Sequence, residues 1–166
     1  MQDLSSRSDA EKGPFSSDGE SIPTDRGESP IKRTARTFPA TRQALTDATA
    51  FLDQELENAE CPAPIQSVLD IVLDEIASNI VAYSGASGFE LGIEFIAGGV
   101  KLSFRDDGKA YNPLTHQDPD TTLSAEERPI GGLGIMMVKK MTNSVTYSRS
   151  DNRNILTIVK AYGESR

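Results

Sequence analysis

Apolar residues recur along this chain at two spacings, one near the helical repeat and one of two residues, and the changes between them mark its elements. Over residues 41–59, Ala44, Ala48, Phe51, Leu52 and Leu56 fall on one helical face, with Thr41 placed as the N-cap and the strand-like TFPA just before it. Cys61, Pro62 and Pro64 break that helix. A second stripe, Ile65, Leu69, Val72, Ile76 and Ile80, predicts a core helix over 65–83, with Tyr83 packed at its end. After SGASG, the runs FELGIEFIA and VKLSFRD alternate around Gly98 and Gly99, which reads as an antiparallel hairpin. Residues 108–130 have no period and contain Pro113, Pro119 and Pro129. Loops longer than about 12 to 15 residues inside a compact domain are often lids or binding loops. A helix over 132–141 follows, and SVTYSRS and NILTIVKAY close the chain as two strands around a turn at 151–153.

The order β, α, α, β, β, loop, α, β, β predicts an α+β fold, a two-layer sandwich whose mixed, mostly antiparallel sheet is covered on one face by helices. Residues 1–36 differ in kind. They are rich in Ser, Gly, Pro, Asp and Arg, and Leu4, Phe15 and Ile22 follow no period. Such a segment cannot bury enough surface to offset its chain entropy, so a disordered tail is expected over 1–36 and a folded domain over 37–163.

The chain's 166 residues suit one domain with a sizeable core. A formal charge of −8 argues against sequence-independent binding to nucleic acid or to an anionic membrane, because both need a cationic face. Cys61 is the only cysteine and His116 the only histidine, which excludes an internal disulfide and disfavours a thiolate or imidazole zinc site. The opening MQDLSSRSDAEKG lacks the apolar core of a secretory signal, and no stretch approaches the roughly 18 apolar residues of a membrane span. A soluble, cytoplasmic protein is expected.

Three separated segments carry candidate chemistry. In DEIASNIVAY, Glu75 and Asn79 stand four apart and share a helix face, so a carboxylate that can accept a proton lies beside an amide oxygen that can ligate Mg²⁺. The ordinary alternative is the solvated flank of an amphipathic helix. In RDDGKAYNP, Asp106 at a strand end can accept a hydrogen bond from an exocyclic amine such as that of adenine, and Gly108 lets a flat base approach. A plain Asp-Gly turn is the alternative there. In GGLGIMMVKK, Gly131, Gly132 and Gly134 open a helix whose free amides and dipole suit a phosphate. A dinucleotide fingerprint fails, since its third glycine would fall at Met137 and a proline-containing loop precedes it; no GxxxxGKS/T phosphate loop exists either.

Taken in order, with the long loop between the second and third segments, this set resembles the GHKL, or histidine kinase-like, ATPase superfamily. DEIASNIVAYS and ERPIGGLGIMMVKKM look most like the bacterial anti-sigma factor serine/threonine kinases of the RsbW and SpoIIAB type. The resemblance covers about residues 37–162 and implies a Bergerat-type ATP-binding fold that takes ATP and Mg²⁺. It implies Glu75 as catalytic base, Asn79 as Mg²⁺ ligand, Asp106 as the adenine contact and Gly108 with Ala110 as the turn beneath the base. It places Gly132, Leu133 and Gly134 at the phosphates, Arg128 near the terminal phosphate and Thr157 as a pocket residue in the closing strand. The implied partners are a small anti-sigma-factor antagonist as phosphorylation substrate, a sigma factor and a second copy of the chain as homodimer. Ala110 stands where the superfamily commonly has glycine, and the loop is long for this branch. A binding module that uses ATP only for its shape is the alternative of a different class. A histidine kinase would need a phosphoacceptor, for which only His116 is available.

Overall fold

The computed structural model describes residues 32–115 and 133–163. Helix α1 (Arg42–Asn58) starts at Thr41, whose backbone is extended at φ −128° and whose hydroxyl accepts the Ala44 amide at 3.3 Å. That bond satisfies one of the donors every helix start leaves without a partner. The helix buries Ala44, Ala48, Leu52 and Leu56. Helix α2 (Ala63–Asn79) carries proline in its first turn, where no amide is needed, and buries Ile65, Leu69, Val72, Leu73, Ile76 and Ala77. The apolar stripe continues to Ile80 but the α-helical backbone does not: Ile80–Ser84 form a π-helical turn, which Gly85 ends at φ 68°. Wider i→i+5 bonding rotates the chain out of the 3.6-residue phase. Tyr83, expected to pack, is consequently 74% exposed.

Strands β1 (Arg33–Pro39), β2 (Gly88–Ile96), β3 (Gly99–Asp106), β4 (Ser144–Ser150) and β5 (Arg153–Ala161) form one sheet in the order β1-β2-β3-β5-β4. Each of its pairings is antiparallel. The sheet expected as mixed has no parallel neighbours among the described strands, because β1, β3 and β4 run one way, β2 and β5 the other, and the order alternates the two sets. Helix α3 (Leu133–Met141) rests on α2 and buries Ile135, Met136 and Val138. The α+β two-layer architecture therefore stands as read, with the three helices on one face.

Two boundaries move. Arg33 to Arg36, assigned above to the tail, belong to β1, and Arg33 and Lys101 both reach the Glu94 carboxylate at 2.6 Å along one row of the open face. The β2–β3 turn is Ala97-Gly98, with Gly98 at φ 74°, and Gly99 is already paired; a β-carbon there would lie 2.6 Å from the Lys160 carbonyl oxygen. At the β4–β5 turn Asp151 and Asn152 take φ 51° and 60°, the pair of left-handed residues that a two-residue hairpin favours.

Register decides what the helices cover. Leu91, Phe104 and Leu156 form one cross-strand row, and Ile93, Leu102 and Ile158 the next, all buried. Burial of each such side chain contributes about 1.5–3 kcal/mol. The row at the end of the same face begins with Phe38 and Phe89, stacked at 5.6 Å, and then turns polar as Asp106, Asn154 and Arg149. That change of character brings a carboxylate to the rim of the core beneath the end of α2.

Candidate functional site

Glu75 and Asn79 project from the flank of α2 that α3 borders, the first half-buried and the second exposed. Gly134, in the first turn of α3, lies directly against Glu75: a β-carbon built there would overlap the carboxylate oxygen Oε2 and sit 2.7 Å from Cδ. Absence of a side chain at 134 is therefore what lets the carboxylate occupy this position. A carboxylate, an amide oxygen one helical turn farther on and a glycine-opened helix start are brought to one edge of the helical layer.

Asp106 is 7% exposed and its Oδ1 accepts two bonds, from the Gly108 amide at 2.9 Å and from Asn154 Nδ2 at 3.0 Å. Among the described residues Oδ2 receives none. Gly108 is buried because the loop passes hard against the π-helical turn; a β-carbon there would lie 2.6 Å from the Ser84 carbonyl and 2.7 Å from Asp106 Oδ1. The Ser84 carbonyl accepts the Lys109 amide at 3.0 Å, and the Ser84 hydroxyl donates to Ile80 at 2.7 Å and accepts the Ala86 amide at 3.0 Å. The end of α2 and the Asp-Asp-Gly loop are thus one docked unit. Asp107, next in sequence, faces outward instead. Its carboxylate accepts the Ser87 hydroxyl at 2.6 Å and the Ser87 amide at 2.8 Å, and those bonds hold it below the usual carboxylate range.

Of the sequence-derived residues, the structure brings Glu75 and Gly134 into contact, places Asn79 one turn beyond Glu75, and joins Asp106 to Gly108. Ala110 is exposed in the loop after Gly108, and Leu133 is 44% exposed at the start of α3. Thr157 is not brought to Asp106. It pairs with Ser103 and Thr146 on the open face of the sheet, whereas Asn154, three residues earlier, stands opposite Asp106 on the helix-covered face. An odd offset along a strand reverses the face. Arg128, Gly132, Gly131 and His116 lie outside the described residues, as does most of the loop expected as a lid.

Residues that sequence reasoning missed are Ser84 and the trio Asn154, Tyr147 and Arg149. Asn154 Oδ1 accepts the Tyr147 hydroxyl and Arg149 Nη1, both at 2.8 Å, and its Nδ2 also donates to the Lys109 carbonyl at 2.8 Å. A signal was present: Asn154 shares the inward phase of Leu156 and Ile158. Two hollows elsewhere, about 450 Å³ between β1 and α1 beside Phe51 and about 350 Å³ at the β4–β5 turn beside Arg105, contain none of these residues.

The donor set fits a magnesium nucleotide. Asp106 Oδ2 is an acceptor without a described partner, the Glu75 carboxylate lies against the glycine in the first turn of α3, and an amide oxygen is the kind of hard ligand Mg²⁺ takes alongside phosphates and water. Among the described residues no three His, Cys, Asp or Glu side chains cluster to hold a metal by themselves, and no helix is long and apolar enough to cross a membrane.

Comparison with known proteins agrees with this architecture. The chain is 26% identical over 122 residues to the serine/threonine-protein kinase BtrW of Bordetella bronchiseptica, covering 71% of this chain and 86% of that one. A crystal structure of the RsbU and RsbW domains of Rv1364c from Mycobacterium tuberculosis superposes with a TM-score of 0.57 at 15% identity. It covers 78% of this chain, which spans only 32% of that longer one, and its likeness concerns the fold. The family described as the histidine kinase-like ATPase domain matches residues 38–160, from the Phe38 of β1 almost to the end of β5, and the chain belongs to that family.

Proposed function

We propose that the domain binds Mg-ATP and transfers its terminal phosphoryl group to a Ser or Thr of a small partner protein. The observation that carries this reading is the contact of Glu75 with Gly134, which sets a proton acceptor against the helix start where phosphates are expected. The name of the BtrW relative supports the kinase assignment, and the resemblance of the DEIASNIVAYS and ERPIGGLGIMMVKKM segments supports the partner-switching branch.

In this reading adenine donates its amine to Asp106 Oδ2 and lies over the loop of Gly108 and Ala110. The amides at Gly132, Leu133 and Gly134 hold the phosphates, with Arg128 near the terminal one. Asn79 holds Mg²⁺, which when bound neutralises phosphate charge. Glu75 takes the proton from the incoming hydroxyl as its oxygen bonds the terminal phosphorus, and the bond from that phosphorus to the bridging oxygen breaks to release ADP. The partner is an antagonist of an anti-sigma factor, a sigma factor is the regulated protein, and the domain works in the cytoplasm as a homodimer.

Glu75→Ala tests the chemistry. Incubation with γ-labelled ATP and a partner captured from native lysate should show labelling of Ser or Thr by the wild type and none by the variant, with ATP affinity retained. Unchanged transfer would contradict the assignment. Normal partner regulation by the variant in cells would favour a module that uses ATP only for its shape.

A further inference from the structure

We propose that Asn154 is a positioning residue that fixes the Asp106 carboxylate for recognition of a 6-amino purine, and that Tyr147 and Arg149 lock Asn154 in turn. This rests on the nucleotide reading above and deepens it. Asn154 is 6% exposed, so each of its polar atoms needs a partner inside the protein. Its amide nitrogen donates to Asp106 Oδ1 at 3.0 Å and to the Lys109 carbonyl at 2.8 Å. Its amide oxygen accepts the Tyr147 hydroxyl at 2.8 Å, Arg149 Nη1 at 2.8 Å and the Tyr111 amide at 3.3 Å.

Only one orientation of the amide satisfies that set. Turned over, its oxygen would face the Asp106 carboxylate and the Lys109 carbonyl, and its nitrogen would face the Arg149 guanidinium. With Asn154 so held, Asp106 Oδ1 is occupied from two sides, by Asn154 and by the Gly108 amide, and the carboxylate plane cannot turn. The oxygen left over can only accept. It matches the amine of a 6-amino purine and opposes the carbonyl of a 6-oxo purine. The same side chain ties Lys109 and Tyr111 to β5, and Arg149 also reaches the Gly108 carbonyl at 3.4 Å, so the loop beneath the base is set by one network.

The test is the ratio of two dissociation constants, for ATP and for purine riboside triphosphate, which lacks only the 6-amine. Calorimetric titration of the wild type should favour ATP by about 10- to 100-fold, the size of one hydrogen bond to a charged group. Asn154→Leu keeps the volume and removes the amide, and its ratio should fall to within about threefold of unity. The double variant Tyr147→Phe with Arg149→Gln leaves Asn154 in place without two of its anchors. It should lower the ratio as well, and it carries the test if the leucine variant does not fold. A folded variant that binds both nucleotides more weakly but keeps the wild-type ratio overturns the positioning role while leaving the nucleotide site standing. Failure of the wild type to bind ATP overturns the nucleotide reading, and this inference with it.

Discussion

Placing a methyl group at Gly134 should separate stability from chemistry. In Gly134→Ala the new carbon would start 2.7 Å from Glu75 Cδ and overlap Oε2. Ordinary carbon contacts are about 3.5–4.0 Å, so the head of Glu75 must retreat by roughly 1 Å. Glu75 is half-buried with a flexible stem, and such a retreat costs on the order of 0.5–1.5 kcal/mol of rotamer strain. Alanine in place of glycine inside a helix returns about 0.5–1 kcal/mol. The two nearly cancel, so urea unfolding should place the variant within about 1 kcal/mol of the wild type. Activity has no such offset, because moving a catalytic group by about 1 Å can lower a rate by around 100-fold. Transfer of label from γ-labelled ATP to the captured partner, at saturating nucleotide, measures it. A folded variant of ordinary stability that transfers label within about threefold of the wild-type rate would refute the placement of Glu75 as the working base.

Asn79→Ala removes an exposed side chain, so unfolding should change by less than about 0.5 kcal/mol, while the part of ATP affinity that magnesium confers is lost. Titrations of ATP with magnesium and with chelator would show this, and an undiminished magnesium effect in the variant would contradict it. Leu102→Ala opens a cavity between Ile93 and Ile158 in the fully buried centre of the sheet and should cost about 2–5 kcal/mol in urea unfolding. Burial, then the charge and hydrogen bond of Asp53, push the Asp70 carboxyl up from 3.8 to about 6. The folded chain therefore holds that proton more tightly than the unfolded one, and this contribution to stability is complete below about pH 4 and lost as pH rises through about 6. Asp70→Asn should be more stable than the wild type at about pH 7.5 and lose that advantage toward about pH 4, read from urea midpoints at both.

Periodicity located most of the architecture because it reports burial, and burial organises these elements. Leu52 with Leu56, Leu69 with Val72 and Phe104 with Leu102 all occupy the core that their spacing indicates. Arg33 to Arg36 escaped notice because β1 is an edge strand with Phe38 its single buried residue, so its sequence carries little apolar alternation. Ile80 continues the stripe of α2, and nothing in that pattern distinguishes a π-helical turn from another α-helical one. The site was legible where its parts are local, as in the four-residue offset of Glu75 and Asn79 and the bond of Asp106 to Gly108. Where register decides, it was less so. Thr157 looks suitable by residue type, yet Leu156 and Ile158 face inward on either side of it and turn it outward. Asn154 meets Asp106 only because β3 and β5 pair with 106 opposite 154, a relation between residues 48 apart that single-strand patterns do not encode.

Convergence of α2, the Asp106 loop and the start of α3 on one nucleotide is the central claim, and an amide-resolved NMR titration tests it most directly. Adding Mg-ATP to the labelled protein should shift the amides of Asn79, Gly108 and Gly134 together, with one common dissociation constant. Shifts confined to the open face of the sheet around Arg105 and Thr157, or none at millimolar-order nucleotide, the weakest range for a specific small ligand, would contradict it.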